Sequence, residues 1–169
     1  MLQEEIPGTE QQPLPPRATL VLPAGACDNR TGIWMGGAHS LRGQDVGLAQ
    51  MPEAWLVETA GEMPAAFHRA ALRTVFCVFG DLEEVPSVID RIRTTAASVA
   101  EAVRTATGGP RDVYIVCSQG LNRSGLVTGL VLRHLGIPGE EAVAVIRGSR
   151  PGALANHAFE SLVLGPLDG

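Results

Sequence analysis

Val116-Cys117-Ser118-Gln119-Gly120-Leu121-Asn122-Arg123-Ser124-Gly125 sets a thiol and a guanidinium at the two ends of one short, glycine-containing turn. Upstream, Arg111-Asp112-Val113-Tyr114-Ile115-Val116 reads as a buried parallel strand, and downstream the apolar run 124–132 reads as a buried helix. A turn between a strand end and a helix start lets the backbone N–H groups of residues 118 to 124 converge on one point, where the helix dipole adds positive potential. Gly120 permits so tight a curl. The stretch is therefore read as a cradle for a phosphate-like oxyanion with a nucleophile inside it, lined by Ser118, Gln119, Gly120, Leu121, Asn122 and Arg123.

The side chains suit that chemistry. The thiolate is the reactive form of cysteine, and a helix start beside an arginine favours it, so Cys117 is the candidate nucleophile. Arg123 offers a planar fork of donors that matches two phosphoryl oxygens and gains value as those oxygens gain charge. Ser124, at the expected helix start, is placed to turn its hydroxyl toward the sulfur and steady it as a leaving group.

The bare spacing of Cys, five residues, then Arg is weak evidence, because three cysteines and 13 arginines give it an expectation of roughly 0.2 by chance. The surroundings carry the weight: the strand before, glycine at the third position after Cys117, Arg-Ser-Gly at the end and an apolar helix beyond. These residues resemble the signature Cys-x-x-Gly-x-x-Arg-Ser/Thr of the cysteine-dependent phosphatases of the dual-specificity and tyrosine type. The resemblance extends over roughly residues 18 to 165. Gly32-Ile33-Trp34-Met35-Gly36-Gly37 is similar to the family's opening strand, and Ala54-Trp55-Leu56-Val57-Glu58 with Gly61-Glu62-Met63-Pro64 to its second strand and turn. Glu141 to Arg147, with Arg150-Pro151-Gly152-Ala153-Leu154, is similar to its penultimate helix and loop. The family usually carries a histidine before the cysteine, where this chain has Val116. Ser118 and Gln119 are neutral, which argues against an inositol lipid substrate.

Such a reaction needs a group to protonate the departing alcohol or phenol and then to take a proton from the attacking water. Asp81 is the candidate. It follows the apolar run 74–79 in the loop Gly80-Asp81-Leu82-Glu83-Glu84, and the resemblance places the family's acid in this same loop. Glu83 and Glu84 are fallbacks, more simply read as the acidic first turn of the next helix. Arg150 is weighed as a cation at the mouth of the cleft against a solvated arginine covering apolar surface, and Arg147 less so.

Two other readings stand beside a phosphomonoesterase acting on phosphoprotein or small phosphomonoester substrates. Gly120-Leu121-Asn122-Arg123-Ser124-Gly125 is similar to enzymes that remove the terminal phosphate from triphosphorylated RNA ends. A net charge of −5, a pI near 5.3 and scattered arginines supply no basic path for a strand, so nucleic acid is disfavoured. The third reading is a phosphate-binding module without efficient chemistry, which the missing histidine favours and the joint presence of Cys117, Arg123, Ser124 and Asp81 opposes.

The remaining composition bounds the answer. All 13 cationic side chains are arginine, which excludes lysine Schiff-base chemistry. Three cysteines make no disulfide framework, the four histidines show no ligand spacing, and the apolar runs are too short to span a bilayer. The reading is therefore a cytoplasmic protein without a membrane segment, cofactor or metal. Cys77 reads as core packing and Cys27 as a loop residue.

Residues 1–17, rich in Gln, Glu and Pro, read as an extended lead-in, and residues 18–169 as one catalytic domain. Strands are expected near 19–22, 33–36, 54–58, 73–79 and 112–117. Helices are expected near 64–70, 86–107, 124–135, 139–147 and 153–164. That order predicts an α/β fold with a central, mostly parallel sheet and helices on both faces. Ligands in such sheets bind beyond the carboxyl ends of the strands, where Cys117 and Asp81 both fall.

Overall fold

Val113, Ile115 and Cys117 alternate with Tyr114 and Val116, and both sets are buried, so their strand has a packed layer on each side. In the computed structural model, which describes residues 15–105 and 107–167, this is β6 (Asp112–Cys117). The others are β1 (Arg17–Leu22), β2 (Gly32–Gly37), β3 (Gln44–Asp45), β4 (Ala54–Glu58) and β5 (Arg73–Phe76). They form one sheet in the order β3-β1-β2-β6-β4-β5. β2, β6, β4 and β5 run parallel, while β1 is antiparallel to β2 and to β3. The sheet is thus mixed, and parallel through its centre.

One face carries four helices: α2 (Ile89–Arg104), α3 (Arg123–His134), α4 (Gly139–Ser149) and α5 (His157–Leu164). Ile33, Met35, Val57, Val113 and Ile115 meet them in the larger core. The other face carries a 3₁₀ turn (Leu48–Glu53) and the short α1 (Ala65–Ala70), whose Met51 and Phe67 pack on Leu56, Tyr114 and Val116. Residues 124–132 are buried without a break, so α3 is the inner helix and is enclosed on every side.

Several boundaries depart from the sequence reading. The last strand of the parallel set stops at Phe76, although Cys77 N–H still donates to Glu58 O and Phe79 N–H to Thr59 O. The helix expected from 86 begins at Ile89, and the one expected from 153 begins at His157. The second delay has a backbone cause: Leu154 lies in the left-handed region at φ 58°, and Asn156 is the N-cap. The two-residue β3 carries no pattern that the sequence exposes. Residues 1–14 of the expected lead-in lie outside the described residues, and Arg17 already pairs in β1. Among the described residues no helix is long and apolar enough to cross a membrane.

Candidate active site

The turn after β6 is shaped by what its carbonyl groups do. Cys117 O accepts from Ala38 N–H at 2.9 Å and Ser118 O from His39 N–H at 2.8 Å, so the chain leaving β2 holds the first half of the turn. Gln119 O and Gly120 O accept from Arg150, Leu121 O from Leu154 N–H, and Asn122 O from Leu126 N–H. Every carbonyl from 117 to 122 is therefore turned outward onto a partner. A peptide plane that aims its oxygen out aims its N–H in. Gly120 N–H donates to Cys117 Sγ at 3.3 Å, and the amides of Ser118, Gln119, Leu121 and Asn122 have no hydrogen-bond partner among the described residues. Convergent free amides at a helix start are an anion site.

Two glycines make this geometry possible. Gly120 has φ 75°, and a Cβ there would meet Gly36 C at 2.6 Å. Gly37 lies beside Cys117 in the sheet register, and a Cβ on it would stand 2.4 Å from Ser118 O and 2.7 Å from Gly120 N. The turn can press onto β2 only because β2 ends in glycine.

Cys117 is 2% exposed, and its Sγ lies 3.2 Å from Ser124 Oγ. Ser124 is wholly buried within the first turn of α3. Arg123 is half-buried; its Nη1 donates to Phe79 O at 3.4 Å, while its buried Nε has no partner. A buried donor left unsatisfied is costly. Val116, where the resemblance would put histidine, points to the opposite face of the sheet and packs in the smaller core.

Asp81 is exposed on the loop after β5 and is joined to the turn by a side chain of the turn itself. Asn122 Nδ2 donates to Asp81 Oδ2 at 3.0 Å, and Asn156 Nδ2 donates to Asp81 Oδ1 at 2.8 Å. Glu83 does not serve the first turn of the helix that follows it in sequence. Its carboxylate accepts from the backbone N–H groups of His157 and Ala158, at the start of α5. A carboxylate there satisfies free amides and complements the helix dipole.

Arg150 occupies neither of the places weighed for it. It is 1% exposed beneath the turn, where Nε donates to Gly120 O at 2.7 Å and Nη2 to Gln119 O at 3.1 Å and Ser40 Oγ at 2.5 Å. Nη1 reaches Thr19 Oγ1 at 2.9 Å and Arg42 O at 3.3 Å. Burial lowers its pKa, the Cys117 charge opposes that and Arg42 adds to it. It wedges between β1, the β2–β3 loop and the turn, and no spacing rule signals such a role. Arg147 is likewise structural, bonded to Ala153 O, Leu154 O and Glu160.

Other residues at this end of the sheet gave no signal in the sequence. Glu58, wholly buried at the end of β4, accepts from Gly61 N–H, Met63 N–H and His68 Nε2 and so shapes the 59–63 loop. Thr59 donates to Val116 O through both N–H and hydroxyl. A cavity of about 230 Å³ beside the turn is walled by His39, Leu41, Arg42, Gln119 and Leu121, with Arg150 behind.

No family model and no curated protein matches the chain. Solved structures do. Human DUSP28 aligns over 90% of this chain and 93% of its own with a TM-score of 0.61 and 22% identity. A mouse putative dual specificity phosphatase complexed with zinc tungstate aligns over 96% and 90%, with a TM-score of 0.65 and 20% identity. Kinase associated phosphatase, with serine substituted for its catalytic site cysteine, aligns over 90% and 93%, with a TM-score of 0.61 and 14% identity. The chain has the dual-specificity phosphatase fold.

Proposed function

We propose that this chain is a phosphomonoesterase that works through a phosphocysteine intermediate, without a metal, on phosphotyrosine or mixed phosphoprotein substrates or small phosphomonoesters. The observation that carries the reading is the turn itself, with carbonyl groups tied outward, amides inward, and Cys117, Ser124 and Arg123 gathered on it. The likeness to phosphatase structures, one complexed with a tungstate salt, supports the same reading.

In the first step the Cys117 thiolate attacks phosphorus. The S–P bond forms as the P–O bond to the leaving group breaks, and Asp81 gives its proton to the departing oxygen. Negative charge on the equatorial oxygens is met by the inward amides and by Arg123. In the second step water attacks phosphorus, Asp81 takes its proton, and the S–P bond breaks. Ser124 then donates to the leaving sulfur. Asn122 spends its amide on Asp81, which weighs against the RNA-end reading, where that side chain would face a strand.

Hydrolysis of an aryl phosphate by wild type, Cys117→Ser and Asp81→Ala tests the proposal, with EDTA and vanadate as controls. The serine variant is expected to fall to background and the alanine variant by roughly 10²-fold or more. Vanadate should inhibit and EDTA should not. Turnover that survives in Cys117→Ser refutes the reading. Oxyanion binding without turnover in wild type moves the protein to the binding-module class.

A further inference from the structure

Asp81 sits on an exposed loop, yet both its carboxylate oxygens are held by side chains from two other elements. Asn122 comes from the turn, next to Arg123, and Asn156 caps α5. The orientation of both amides is decided by backbone donors. Asn122 Oδ1 accepts from Asn156 N–H at 3.1 Å and Asn156 Oδ1 from Phe159 N–H at 3.2 Å. Each asparagine must therefore present its NH₂ group to Asp81. Asn156 Nδ2 also donates to Leu82 O at 2.8 Å, which holds the backbone beside the acid.

The segment that delivers Asn156 is strained. Leu154, wholly buried, holds φ at 58°, a conformation that costs a side-chain-bearing residue of order 1–3 kcal/mol and persists only where its surroundings enforce it. Its N–H bonds Leu121 O in the turn, and two residues later Asn156 reaches both Asn122 and Asp81. Strain stored beside a catalytic loop is commonly tied to its arrangement.

We infer that Asn122 and Asn156 are positioning residues for Asp81, which lock the proton donor to the same turn that holds the phosphate. The inference rests on the reading of Asp81 as general acid. An ionised carboxylate has about four acceptor sites. The two amides occupy one on each oxygen and leave sites free to carry the proton toward the leaving oxygen. Because Asn122 precedes Arg123 directly, the acid and the phosphate fork are set by one short piece of backbone. Proton transfer fails when the donor strays by about an ångström, so this register is worth catalytic rate rather than substrate affinity.

The test compares phenyl phosphate, whose leaving group needs a proton, with dinitrophenyl phosphate, which departs without one. Wild type, Asp81→Ala, Asn122→Ala and Asn156→Ser are measured; serine keeps an oxygen to cap α5 while deleting the NH₂ donors. Circular dichroism and vanadate inhibition confirm folding and an intact cradle. The ratio of kcat on phenyl to kcat on dinitrophenyl phosphate is expected to fall about tenfold in each asparagine variant and by roughly 10²-fold in Asp81→Ala, with KM nearly constant. A merely structural role lowers both substrates together and leaves the ratio alone. A ratio that falls in Asp81→Ala but not in the asparagine variants overturns the inference and spares the acid assignment. If the ratio is unmoved in Asp81→Ala, or wild type does not turn over, the assignment itself fails and takes the inference with it.

Discussion

Replacing Arg150 by methionine separates the shape of the cradle from its bulk. The volume is nearly kept, but Gln119 O and Gly120 O lose the donors that turn them outward. The acceptors buried against Arg150, Gly120 O and Ser40 Oγ, lose its donors at about 1–3 kcal/mol each. Against that, Arg150 has no carboxylate partner among the described residues, and releasing a buried ion from such a place recovers several kcal/mol. The two contributions nearly cancel, so the melting temperature should move by only a few degrees for a chain of this size. Oxyanion affinity has no such compensation. Peptide planes freed from Arg150 can rotate a carbonyl toward the bound charge, and one lost amide bond to an anion is worth about 1.5–3 kcal/mol. Vanadate affinity should therefore weaken about 10- to 150-fold. The assay is vanadate inhibition or tungstate titration, read beside thermal denaturation. Arg150→Lys keeps the charge without the fork and should lie between methionine and wild type. A folded Arg150→Met protein that binds vanadate as wild type does would refute the argument that Arg150 sets the direction of the amides.

Gly37→Ala should be worse than its size suggests, because the new Cβ would meet backbone of the turn at 2.4 Å. Loss of vanadate binding with about 1–3 kcal/mol of destabilisation in urea is expected, and an unchanged affinity would mean that the turn does not depend on that contact. Gly148→Ala is the contrasting case: no atom lies within 4 Å of its Cβ, and the site is inside α4. It should gain roughly 0.5–1 kcal/mol. Tyr114, the single tyrosine, is buried beside Asp112, and burial first and that charge second push its pKa up to about 12. The folded state thus holds the phenolic proton more tightly than the unfolded chain. This stabilisation is full below about pH 10 and is lost as the pH rises toward about 12. Tyrosinate absorbance appearing near pH 10 while the circular dichroism stays native would contradict it.

The residues from 116 to 125, by themselves, marked the turn on which the proposed chemistry rests. A strand, a glycine turn and a buried helix follow from local periodicity, and local periodicity is what a sequence carries openly. The same holds for the parallel core of the sheet and for the loop that bears Asp81. Boundaries slipped where a local rule was overridden, as at Leu154, whose left-handed backbone postpones α5 until His157. Tertiary structure alone decided how the site is held. Arg150, Gly37 and the two asparagines act across 30 or more positions in the chain or against backbone whose approach no pattern records. A hydrogen bond or a close contact between distant segments leaves no period behind, so its partners look like ordinary polar or small residues until the fold brings them together.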